Sequence, residues 1–182
     1  MVAGIILGMG LPTTAAYIVM ASLLVPALMK LGIPTIAAHM FAFYYAIISC
    51  ITPPVALAVY AGAGLAGSNM WKTGFTAVRI GAPGFIIPFM FAYSPSLLFI
   101  GSPTMVLESV ITAVVGVVML AGGMIGWLFR ETNLMERVML LSGAILLIKP
   151  GLYTDLIGIG LLAVIILSQR LRSSPEPDPS HP

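Results

Sequence analysis

Charge is what this chain has least of: eight basic and six acidic residues in 182, 8% of the sequence. A soluble domain carries about a quarter, so bulk water is not the solvent in which this chain folds. Cysteine is nearly missing too. Cys50 stands alone, which excludes an internal disulfide and any cysteine-built metal cluster. It is left to pack as a small apolar side chain or to serve the loop around Thr52. The two histidines lack metal-ligand spacing, the carboxylates are not clustered, and no Ser/His/Asp set stands out as catalytic. Gly8-Met9-Gly10 lacks the lysine and the preceding strand of a phosphate loop. The net charge of +2 is scattered, which gives no surface for nucleic acid. An enzyme and a nucleic-acid binder are both poor readings.

What fills the space is apolar: 59% of the chain is hydrophobic and mean hydropathy is +1.08. Long apolar stretches recur from Val2 to Leu167, too many for a cleaved signal peptide and a soluble remainder. The fold class is all-α integral membrane, a multi-span helical bundle. Val2–Leu7 reads as a short arm, Thr13–Met29 as a helix closed by Lys30-Leu31-Gly32, and Ile36–Ile48 as a second helix. Val55–Leu65 resumes as a half-helix after the proline pair. Trp71 and Lys72 mark a membrane interface before a span over Thr73–Tyr93 kinked at Pro83 and Pro88. Thr104–Phe129 is the cleanest span, Arg130–Arg137 a charged loop, and Val138–Ser168 a tight hairpin cut at Lys149-Pro150-Gly151, with one long kinked span as the alternative. A hairpin puts Arg130, Arg137, Arg170 and Arg172 on one face, which the positive-inside tendency makes cytoplasmic. Ser173–Pro182 reads as a disordered tail. The small residues of Ala61–Gly67 and the Gly122/Gly126 pair read as close-packing helix faces.

Two clusters interrupt the apolar stretches: Gly8-Met9-Gly10-Leu11-Pro12-Thr13-Thr14, and Ser49-Cys50-Ile51-Thr52-Pro53-Pro54. Irregular backbone is tolerated at membrane depth only where protein buries it or where it lines a watery cavity. Secondary transporters hold ions and substrates at such breaks. In the first cluster Gly8 and Gly10 permit close approach, while Thr13 and Thr14 place hydroxyls at a helix start whose amides favour a carboxylate. An ordinary N-cap explains the same residues. In the second, Ser49, Thr52 and the carbonyls freed by Pro53 and Pro54 are hard oxygen donors suited to an alkali cation. A plain proline kink is the bland reading there. His39 is better read as a capping or interface residue than a proton carrier, and Phe41, Phe43, Tyr44 and Tyr45 as packing aromatics. Glu108 needs only a helix N-terminus, and Lys149 and Asp155 either offset each other or sit in headgroups.

Gly-Met-Gly-Leu-Pro-Thr-Thr-Ala-Ala-Tyr at 8–17 and Ile-Thr-Pro-Pro-Val-Ala-Leu-Ala at 51–58 resemble the membrane permease of tripartite ATP-independent periplasmic (TRAP) transporters. Trp-Lys-Thr-Gly at 71–74, Pro-Phe-Met-Phe at 88–91 and Pro-Gly-Leu-Tyr-Thr-Asp-Leu-Ile-Gly at 150–158 are similar to the fused subtype, in its C-terminal part. The resemblance implies half of an inverted-repeat elevator: a transport domain with a re-entrant hairpin tip and broken helices slides against a scaffold. It implies uptake of organic acids such as dicarboxylates across the inner (cytoplasmic) membrane by symport, usually with sodium. A periplasmic solute-binding protein delivers the substrate. Carried onto this chain, 1–66 belongs to the transport domain, 67–129 adds spans and scaffold, 130–172 is the C-terminal hairpin and 173–182 a cytoplasmic tail. Gly8, Gly10, Thr13, Thr14, Ser49, Thr52, Pro53 and Pro54 become the substrate- and ion-binding candidates, with Thr13 and Thr52 the sodium contacts. No cofactor is implied. Pro12 stands where many relatives carry an acidic residue, which leaves protons open as the coupling ion. An apolar start at Val2 with a break by Gly8 is either one arm of the hairpin or the end of a longer N-terminal region; the second is the expectation, and such a chain would not transport alone. The rival reading is a structural or assembly subunit of the membrane, or a non-functional fragment.

Overall fold

In the computed structural model, residues 1–148 and 151–171 are described, and every element among them is helical apart from one isolated bridge between Trp127 and Glu131. The helices are α1 (Val2–Gly8), α2 (Thr13–Lys30), α3 (Thr35–Ile48), α4 (Leu57–Leu65), α5 (Met70–Ile80), α6 (Ala82–Tyr93), α7 (Pro103–Ile125), α8 (Leu134–Leu146) and α9 (Leu152–Leu171). Four segments are long and apolar enough to cross a membrane: Thr13–Lys30, Met70–Tyr93, Pro103–Ile125 and Tyr153–Leu171. This is an all-α membrane bundle, as composition and hydropathy anticipate. Lys149, Arg172 and the tail over 173–182 lie outside the described residues.

Chain chemistry accounts for where the helices stop. After α2, Gly32 takes a left-handed φ of 86°, and Gly32 and Ile33 donate back to the carbonyls of Met29 and Leu28. That is a Schellman closure, in which glycine avoids the Cβ penalty. The segment Met70–Tyr93 breaks into α5 and α6 at Gly81, two residues before Pro83, close to where a proline kink is expected. Pro83 sits within the first turn of α6, where a missing amide proton costs nothing, and Pro88 is accommodated inside that helix. Gly126 is also a terminator, with φ of 88°, so Gly122 and Gly126 do not form a packing face. Gly123 supplies the close approach instead, against Leu140 and Leu141. On α4 only Ala63 of the small residues is buried, while Gly62 and Gly64 have open space where a Cβ would point.

Two apolar cores result. The first joins α1, α2, α3 and α6 around Met20, Phe41 and Tyr45. Phe41 and Phe89 meet edge to face at 5.3 Å, and the buried Tyr45 hydroxyl donates to the Phe85 carbonyl at 2.7 Å. The second joins α7, α8 and α9 around Met119, Leu140, Leu147 and Ile165. Its polar floor is Glu136, which is buried and completes a capping box with Asn133 while accepting from Ser168 at 3.1 Å and Gln169 at 3.4 Å. Gln169 in turn accepts from the Phe129 amide. Arg137 donates to the carbonyls of Gly123 and Met124, and Arg79 reaches across from α5 to those of Met124 and Ile125, at 2.6–2.7 Å. Two cations thus satisfy the exposed carbonyl end of α7. These ties also fix direction. The start of α8 lies beside the ends of α7 and α9, so α7 and α9 run parallel and Arg137 and Arg170 share a face.

Candidate functional site

The two interruptions, forty residues apart in sequence, touch. At the first, α1 ends at Gly8, whose carbonyl accepts from the Leu11 amide at 3.3 Å. Gly10 turns the chain with φ of 77°, and Pro12, extended at ψ of 146°, leads into α2 without a side-chain cap. Pro12 still accepts from Ala16 through its carbonyl at 2.9 Å. The amides of Thr13, Thr14 and Ala15 are therefore the uncapped donors of this helix. Thr14 is exposed and its hydroxyl has no partner among the described residues.

At the second, α3 tightens into a 3₁₀ turn over Ser49–Ile51 and then loses its helical pattern at Thr52. Thr52 is extended, as a residue before proline must be. Its hydroxyl donates to the Ile48 carbonyl at 2.7 Å, which leaves the oxygen's lone pairs free to accept. Ala56 is fully buried with a left-handed φ of 36°, so α4 begins at Leu57 rather than at Val55. A non-glycine residue held there costs on the order of 1 kcal/mol. The Ala56 amide closes on the Thr52 carbonyl at 3.1 Å, while the carbonyls of Pro53, Pro54 and Val55 accept nothing from the described residues. Pro53 packs toward α5, its ring 3.1 Å from where a Gly74 Cβ would stand.

Ser49 joins the two. Its buried hydroxyl lies 3.1 Å from the Gly8 carbonyl and 2.8 Å from that of Ala46, and shares one proton between them. A Cβ on Gly8 would stand 2.6 Å from that hydroxyl oxygen and 2.7 Å from the Met20 methyl. Only glycine fits. Thr13 Oγ1 and Cys50 Sγ are 3.8 Å apart, and Gly10 faces Val55. Gly8, Gly10, Thr13 and Ser49 are thus brought together at one contact. Thr14, Thr52, Pro53 and Pro54 belong to the same two interruptions but make no described bond across. Sequence reading gave no place to Cys50 against Thr13, to Val55 or to Met20; those depend on packing between helices distant in sequence. The orphaned, buried Tyr60 hydroxyl behind Gly74 was missed as well, and nothing local marks it. Among the described residues no group of three His, Cys, Asp or Glu side chains could hold a metal ion.

Residues 1–106 match the family described as "Tripartite ATP-independent periplasmic transporter, DctM component". The chain belongs to that family. Both interruptions lie within the matched part of this permease chain, as does the whole first core. Residues 106–158 match a second family, a "Domain of unknown function (DUF3394)", which takes in most of α7, all of α8 and the start of α9. No match was found among curated proteins or solved structures. The permease family is one of transporters, and the four apolar helices agree with a membrane setting. Membership also implies a periplasmic binding protein as partner.

Proposed function

We propose that this chain forms part of the substrate and ion site of a TRAP-type permease that imports an organic acid, a carboxylate or dicarboxylate, in symport with a cation. The contact between Gly8–Thr14 and Ser49–Pro54 is the observation that carries the reading. One side offers the uncapped amides and hydroxyls of Thr13 and Thr14, suited to a carboxylate. The other offers neutral oxygens, the Thr52 hydroxyl and the carbonyls of Pro53 and Pro54, suited to sodium. Sodium is the better candidate than a proton because no titratable side chain belongs to either cluster apart from the Cys50 thiol.

In this account α1 and the start of α2 are a hairpin tip, and α3 and α4 a broken helix, of a transport domain that moves as an elevator. The inner membrane is the setting, with the Arg137/Arg170 face cytoplasmic. A soluble periplasmic protein hands over the acid, and the remaining half of the site comes from the rest of the permease. A scaffolding role is the rival. Thr52→Ala separates the two in proteoliposomes: a cation-coupled site loses cation-dependent uptake with its membrane abundance intact. A scaffold loses abundance, or shows no change.

A further inference from the structure

Away from the hairpin tip, the N-terminal ends of α7 and α9 lie on one face of the bundle, opposite the arginines. Between them runs an open cavity of about 420 Å³ walled by Leu107 and Ile111 of α7 and by Leu156 and Ile159 of α9. All four side chains are exposed, Leu156 to 63%. Glu108, Thr112 and Asp155 line the same cavity. A second cavity of about 490 Å³ shares Glu108 and adds Ser94, Ser96 and Ser109. Those three hydroxyls are 2.6–3.3 Å from one another.

Asp155 is the unexplained group. It is 6% exposed, and one carboxylate oxygen accepts only a long bond, 3.4 Å, from the Gly151 amide. The other, Oδ1, is buried with no partner among the described residues. A carboxylate kept ionised away from water needs a positive partner, and Glu108 on the facing helix adds a second acid. The donor set is small and the walls apolar, which suits an ammonium on an apolar body better than a bare metal ion. Depth agrees: both acids lie in the first two turns of membrane-crossing helices, about 25 Å along α7 from its arginine-capped end. Against a hydrocarbon core about 30 Å thick that is a few Å inside its outer edge, within reach of a headgroup, with the apolar walls running inward from it.

We propose that the α7/α9 seam binds a zwitterionic phospholipid, its ammonium between Glu108 and Asp155, its phosphate toward the serine hydroxyls, and an acyl chain along the groove. The site joins the permease-family region to the domain of unknown function, since Ser94 and Ser96 lie in the first and Glu108 and Asp155 in the second. It depends on the membrane setting and not on the transport reading.

The test is native mass spectrometry of the detergent-purified protein titrated with palmitoyl-oleoyl phosphatidylethanolamine or phosphatidylglycerol. Wild type should retain the ethanolamine lipid over the glycerol lipid by about five-fold, the scale of one charge-assisted contact. Glu108→Gln combined with Asp155→Asn should abolish that preference. Leu156→Trp keeps both carboxylates, sits at an exposed position and should still lower ethanolamine-lipid retention by filling the groove. Equal retention by wild type overturns the proposal, as does a preference that survives both sets of variants. So does a preference that emerges only in Lys149→Ala, because an internal cation would then be filling the site.

Discussion

The two interruptions are built with opposite polarity. Gly8–Thr14 ends one helix and starts another, so what it leaves unsatisfied is amide protons at the start of α2. Ser49–Ala56 stops a helix with prolines, so what it leaves unsatisfied is carbonyl oxygen, at Pro53, Pro54 and Val55. The last carbonyls of α1 and the uncapped amides at the start of α4 flank these loops too, so the first loop is biased toward donors and the second toward acceptors without either being exclusive. On the reading proposed above, the comparison teaches how a single contact would accept an anion and a cation with no charged side chain at all. With no charged side chain in either loop, each ligand would be held more firmly in the presence of the other, which is what coupling the two would require.

The largest effect is expected where the breaks meet. Gly8→Ala forces a methyl against the Ser49 hydroxyl and Met20, and should cost about 1–3 kcal/mol as an overpacked site does. Thermal melting of the purified protein should drop, and uptake should fall by more than about ten-fold as the surfaces part. Gly10→Ala has room, with Val55 3.8 Å from the new methyl, and meets only the left-handed φ. Its cost should be about 1 kcal/mol, read as a smaller melting shift. Ser49→Ala leaves the Gly8 carbonyl its bond from Leu11 and should also cost about 1 kcal/mol or less. Gly62→Ala lies in open space on α4 and should raise stability by about 0.5–1 kcal/mol through helix propensity. A melting drop there would show that the small face of α4 is covered by another part of the assembly.

Much of this was legible in the sequence because breaks and apolar periods are local. The starts of α2 and α3 and the loss of helix at Thr52 fall within a residue or so of where threonine, proline and glycine chemistry puts them. The half-helix after the prolines starts two residues late because Ala56 adopts a left-handed conformation, which alanine gives no reason to anticipate. Likewise the need for glycine at 81 comes from crowding by a distant residue: a Cβ there would stand 2.8 Å from Ile51 and 3.0 Å from the Ala77 carbonyl. Pro83, the visible signal, lies two residues from the break, and Pro88 is held inside α6. At the site, the residue types were readable and their meeting was not. Ser49 against Gly8 and Thr13 against Cys50 are contacts 41 and 37 residues apart, set by how α1, α2 and α3 pack. The caps by Arg79, which joins the permease-family region to the second family's region, and by Arg137, within the second, were hidden for the same reason.

The account stands or falls on the division of labour between the two breaks. The direct measurement is initial uptake of a labelled dicarboxylate by permease proteoliposomes with the binding protein supplied, over a grid of sodium and substrate concentrations. The account predicts that Thr52→Ala moves the sodium half-activation upward by about five-fold or more and that Thr13→Ala moves the substrate half-saturation by a similar factor, each the loss of about 1 kcal/mol. Each variant should leave the other axis nearly in place when the second ligand is saturating. Both variants shifting both axes equally, or uptake indifferent to sodium in wild type, would contradict it.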